Sequence, residues 1–153
     1  MKKGQAALEY LLTYGWAILI VIIVGASLYA LGVFTPGQWT GKRQTGFAQF
    51  RIVDFSLQDD GTLTIVFQNQ IGKTVELKEI NATYKNNVCS FNYADQNIAP
   101  NTIYTASHNC SSVWGNLDFR TSYSIVVDFY YTDPDSGLSH IDSGTLFGSV
   151  EPA

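Results

Sequence analysis

The chain has 153 residues, enough for one membrane segment and one modest domain. Charged residues make up 14% of it, against roughly 25% in an average soluble protein, and the net charge is −4. Its basic doublets, Lys2-Lys3 and Lys42-Arg43, make no basic face, which excludes a nucleic-acid binder.

A short basic leader, Met1-Lys2-Lys3, precedes an apolar run from Ala6 to Phe34. Glu9 is the only charged residue between Lys3 and Lys42. An ionisable group inside a membrane-grade segment is expensive, and the expense marks function. A secretory signal peptide needs an apolar core of about 7–15 residues and a small-residue cleavage site. This run is far longer, and Leu28-Tyr29-Ala30-Leu31 carries it past the small residues Gly25-Ala26-Ser27. A transmembrane anchor fits the length, since about 20 apolar residues cross a bilayer. Lys2 and Lys3 then put the N-terminus in the cytoplasm, with Tyr10, Tyr14 and Trp16 at one interface and Tyr29 and Phe34 nearer the other. A plain anchor gives Glu9 no purpose. The segment is apolar on every face, so lipid or other helices must surround it. Ala26 and Ala30 supply a small-x-x-x-small pair for close helix packing. Pro36-Gly37 is predicted to end the helix, and residues 35–46 read as a linker.

Lys3-Gly4-Gln5-Ala6-Ala7-Leu8-Glu9-Tyr10 resembles the class III signal of type IV prepilins. The Gln-x-x-x-Glu-Tyr form is similar to archaeal members, because bacterial pilins commonly carry Phe where this chain has Gln5. The resemblance covers about residues 2–34. It implies a leader at residues 1–4, removed by a prepilin peptidase between Gly4 and Gln5, and a mature helix over residues 5–34. It further implies a membrane precursor, an assembly ATPase and a membrane platform protein as partners, and a helical homo-oligomer at the cell surface. The new α-amino group of Gln5 would be a cation in a low-dielectric place. Glu9 of a neighbouring subunit is its natural partner, and the pair would set the axial register between subunits. The expected function is a structural pilus subunit for adhesion, not an enzyme. Two alternatives stay open: a membrane-anchored extracellular module that binds a ligand such as a sugar, and a subunit of a motility filament (an archaellin).

After Gly46 the hydrophobic period changes to two. Leu63, Ile65 and Phe67 share one face, as do Tyr123, Ile125, Val127, Phe129 and Tyr131. Residues 47–57 read as a strand with Val53, Phe55 and Leu57 inward. In residues 74–84 the parity slips between Val75/Leu77 and Ile80/Ala82/Tyr84, which predicts a bulge near Lys78-Glu79. Weaker strands are expected at 87–93, 102–108 and 138–147. About seven strands separated by turn signals fit an immunoglobulin-like β-sandwich over residues 47–153. The predicted fold is therefore α+β: a long hydrophobic N-terminal helix followed by an all-β sandwich. The resemblance agrees, since archaeal pilins and archaellins look like a long helix carrying such a domain.

Cys89 and Cys110 are the cysteines, and an even pair in an extracytoplasmic domain reads as a disulfide, against the alternative of two buried thiols. Asn81-Ala-Thr83 and Asn109-Cys-Ser111 are N-glycosylation sequons. Asp133-Pro-Asp-Ser-Gly137, with help from Asp142, is an incomplete calcium loop that a hairpin turn already explains. His108 and His140 lack metal-ligand spacing, so no metal or other cofactor is expected. No nucleophile motif or phosphate-cradling glycine loop is present. Trp39, Trp114 and the tyrosines are expected to serve core packing and subunit contacts.

Overall fold

The computed structural model describes residues 2–34 and 41–153; the predicted helix stop at Pro36-Gly37, Trp39 and the first half of the linker lie outside them. Helix α1 runs from Lys2 to Ala30 and buries none of its residues. At about 1.5 Å per residue it is roughly 43 Å long, more than the roughly 30 Å hydrocarbon core of a bilayer. By length and composition it can cross a membrane. The helix ends on Gly32, whose φ of 72° is the left-handed conformation that side chains resist. Val33 N–H donates to Leu28 O (3.1 Å) and Gly32 N–H to Tyr29 O (3.0 Å), the Schellman arrangement that satisfies the last carbonyls.

The rest is a two-sheet β domain, so the predicted α+β class holds. Strands β1 (Arg43–Thr45), β2 (Phe50–Leu57), β3 (Thr62–Asn69), β4 (Val75–Tyr84) and β5 (Asn87–Ile98) are followed by β6 (Ile103–Asn109). A short helix α2 (Ser111–Trp114) then leads to β7 (Ser122–Thr132) and β8 (Ser139–Ser149). One antiparallel sheet has the order β1-β8-β7-β4-β5, the other β2-β3-β6. The period-two faces of β3, β4 and β7 turn inward as their alternation requires. Phe50 and Phe67 from one sheet meet Phe129 from the other at centroid distances of 4.9 and 5.0 Å, filling the space between layers.

The bulge predicted near Lys78-Glu79 is present: pairing of β4 with both neighbours shifts between Leu77 and Glu79. A second bulge was not foreseen. Ile52 pairs with Phe67 and Asp54 with Val66, so Val53 is the extra residue. The bulge turns Val53 outward (47% exposed) and Ile52 inward, which corrects the expected inward set of Val53, Phe55 and Leu57. β1 is also new. Its residues fell in the predicted linker, yet they pair with Thr145, Leu146 and Phe147 of β8.

The two sheets are closed along both sides. On one side the predicted disulfide is formed: Cys89 of β5 and Cys110, just past β6, have Cα atoms 5.8 Å apart. β5 and β6 are edge strands, so the bond staples the two sheets at their margins. On the other side the seam is polar. Gln44 Nε2 donates to Ile52 O (2.9 Å), a carbonyl at the bulge of β2. Lys42 pairs with Glu151 (2.8 Å) and Asp54 (3.4 Å). The carboxylate of Asp142, 4% exposed, accepts the backbone N–H groups of Ala48 (3.0 Å), Gln49 (2.9 Å) and Phe50 (2.8 Å). Next to it, a Cβ on Gly144 would lie 2.5 Å from the Phe47 ring and 2.6 Å from Thr45 O, so only glycine fits.

Two stability outcomes follow from this closure. Asp142→Asn turns one acceptor into a donor facing N–H groups, and a hydrogen bond to a charged group contributes about 1.5–3 kcal/mol. Urea unfolding of Asp142→Asn at neutral pH is expected to show a loss of about that size or more. Replacing both Cys89 and Cys110 by Ser is expected to remove about 3 kcal/mol, the chain-entropy value for a loop of this length. Unchanged urea midpoints would contradict both assignments.

Candidate functional site

The side chains of α1 divide into two kinds. Its Thr and Ser hydroxyls are satisfied inside the helix: Thr13 Oγ1 donates to Glu9 O (2.8 Å) and Ser27 Oγ to Ile23 O (2.7 Å). That is the form a hydroxyl takes where water is absent. Gln5 and Glu9 differ, because their side chains make no hydrogen bond or ion pair among the described residues. At about 100° per residue, Gln5, Glu9, Thr13 and Ser27 fall within an arc of about 80°. From Ala6 onward the rest of the helix circumference is apolar or aromatic, with Leu12 75% and Tyr29 77% exposed and the rings of Tyr10 and Tyr14 4.5 Å apart. Gly4 and Gln5 lie in the first turn, where backbone N–H groups have no partner within the helix.

In the β domain the larger grooves gather no reactive cluster. One of about 590 Å³ is lined by Gly41, Lys42, Arg43, Tyr123 and Phe147 among others. A neighbour of about 530 Å³ shares Gly41 and Lys42 and adds Arg120 and Glu151. Lys42 and Glu151 already neutralise each other there, and the Arg43 guanidinium stacks 4.9 Å over Phe147. No group of three or more possible metal ligands occurs among the described residues. The turn 133–137 is held by Lys73, which pairs with Asp133 and, at 3.6 Å, with Asp135. Asp142, considered as a further calcium ligand, is instead committed to backbone N–H groups. His108 packs on Phe91 (5.1 Å) and His140 on Tyr131 (5.5 Å), in separate places.

The two sequons have opposite geometry. Asn109 is locked: its Nδ2 donates to Thr62 Oγ1 (3.1 Å) and Asp60 O (3.3 Å), and its Oδ1 accepts from Ser111 N–H (2.9 Å). Asn81 stands in the middle of β4 on the outer face of the five-stranded sheet, between Ser90 and Asp128. Among the described residues its buried Oδ1 has no partner and its Nδ2 makes no hydrogen bond.

Sequence reasoning missed Asp142 and Gln44 as structural groups. Asp142 had a legible signal: on β8 it shares the inward parity with Gly144, Leu146 and Gly148, and an acid at an inward position must find donors. Gln44 carried none, because its partner carbonyl is freed by a bulge on another strand.

The ion pairs set an acid limit. The hydrogen bond from Lys73, then the N–H of Asp135, holds Asp133 below the usual carboxylate range. Lys42 foremost, with Ser56 assisting, does the same for Glu151. Both carboxylates therefore bind protons less readily folded than unfolded. Their stabilisation is complete above the ordinary carboxylate range and is lost as pH falls through their lowered values. Thermal melts across that range are expected to show a falling midpoint on acidification, and a smaller fall in a Lys42→Gln/Lys73→Gln variant; equal slopes would contradict the assignment.

Compared with known proteins, the chain matches no family model and no curated protein.

Proposed function

We propose that this chain is a precursor of a structural subunit of an archaeal type IV-like surface filament, used in adhesion and polymerised through α1. The observation that carries the reading is a 29-residue helix, apolar almost all round, with no buried residue and an unpartnered carboxylate at Glu9. From Ala6 onward such a surface is unfavourable in water. Lipid covers it in the precursor, and copies of itself cover it in the filament. Cleavage between Gly4 and Gln5 creates an amine one helical turn from Glu9, and the amine of one subunit pairs with the carboxylate of the next. An ion pair in an apolar surround is strongly destabilised when one partner is removed, by about 3–5 kcal/mol, which makes it an effective register device. Exchange of lipid for protein contacts supplies less than the area alone suggests, because lipid is also apolar. The pair therefore contributes specificity out of proportion to its size.

A plain membrane anchor is the second reading, favoured by the unbroken course of α1 from Lys2 across the Gly4–Gln5 bond. Mass spectrometry of the N-terminal peptide from surface material separates the two. A start at Gln5 is expected; an intact Met1 supports the anchor. Glu9→Gln is expected to leave the membrane precursor at its normal level and to reduce surface filaments at least tenfold by electron microscopy. Normal filaments from that variant would remove the proposed role of Glu9.

A further inference from the structure

The outer face of the five-stranded sheet carries exposed apolar side chains beside Asn81, with Asp128 directly opposite it and Glu79 two residues before it on β4. One row across all five strands reads Val88, Thr83, Val126, Thr145 and Thr45. Val88 is 50% and Val126 42% exposed, so apolar surface faces solvent along this row. Asn81 lies in the next row, where the Asp128 carboxylate is engaged by Ser143. Exposed apolar surface on a sheet face is a site for packing by another molecule unless something covers it.

We propose that Asn81 carries an N-linked glycan that covers this face, and that Asn109 is not modified. The inference rests on the extracytoplasmic placement of the β domain in the preceding reading. Asn81 and Thr83 are two residues apart on one strand, so amide and hydroxyl project from the same face. The Nδ2 of Asn81 has no hydrogen bond to break among the described residues, and Asn81 is half-buried on the side of β4 that faces away from the second sheet. Modification joins Nδ2 to the anomeric carbon of a sugar. The donor is a lipid-phosphate-linked saccharide: its C1–O bond breaks, the phosphate leaves with the electron pair, and the amide nitrogen loses one proton. The attached sugar rings lay their C–H faces over Val126 and Val88 while their hydroxyls meet Ser90 and Asp128. Asn109 is the more exposed of the two asparagines, but its amide is already committed. Both donor hydrogens of its Nδ2 are engaged, and the middle residue of its sequon, Cys110, is buried and bonded to Cys89. Asn109 is a latch for the turn at Asp60 and for the start of α2.

Glycopeptide mass spectrometry on full-length protein from the surface of the cells that make it tests this. A saccharide mass on the Asn81 peptide with a bare Asn109 peptide is the expected result; a bare Asn81, or any saccharide on Asn109, overturns it. In the same cells Asn81→Gln is expected to drop the intact mass to that of the bare chain, and Asn109→Gln to leave the saccharide in place. In protein made without glycosylation, Asn109→Gln is expected to lower the melting temperature by several degrees and Asn81→Gln to leave it unchanged. A mature start at Gln5 with a bare Asn81 sinks this inference alone. An intact Met1 together with a bare Asn81 sinks the surface-filament reading as well.

Discussion

An apolar helix with nothing to cover it is the constraint that organises this molecule. Every turn of α1 from Ala6 onward presents Leu, Ile, Val or aromatic surface, and none of it is buried. The hydrophobic effect makes such surface unstable in water, and a helix satisfies its backbone groups within one segment, as lipid requires. Thr13 and Ser27 obey the same rule by turning their hydroxyls onto the helix carbonyls. Glu9 breaks it. A carboxylate on an apolar surface of this kind is costly without a cation beside it, and in the proposed filament a neighbouring subunit supplies one.

The β domain solves a different problem, that of holding two sheets together in a small unit. Its core supplies aromatic packing across the layers, through Phe50, Phe67 and Phe129. Its margins are tied covalently on one side and by polar contacts on the other. The polar margin is made from residues 41–50, the stretch by which the chain enters the domain. Entry and closure are thus one structure. The chain therefore enters the domain through the paired backbone of β1 and the Asp142 clamp.

Several elements were legible because they rest on local pattern. The alternation in β3, β4 and β7 names their buried faces, and the parity slip in β4 names its bulge. Other elements depend on partners far along the chain. β1 has three residues and no pattern of its own; it is a strand because β8 lies beside it. Val53 fits the alternation that predicted it inward, but it is itself the extra residue of the bulge in β2 and turns outward. Pro36-Gly37 drew the expected helix end, whereas Gly32 stops the helix sooner through two backbone hydrogen bonds. A glycine inside an apolar run looks like one more packing residue until its φ is known.

By itself the sequence determined that a long apolar helix precedes an all-β domain, that Glu9 stands alone within the helix, and that Cys89 and Cys110 are the cysteines available to pair. These are properties of composition and period, which survive without any knowledge of neighbours. Only the tertiary structure decided how the sheets close, that Asp142 is a clamp and not a cation ligand, and that Asn109 is a latch while Asn81 faces outward. Those roles are set by which donor lies within hydrogen-bonding distance of which acceptor, and residues 48 and 142 or 62 and 109 meet only once the strands between them have folded.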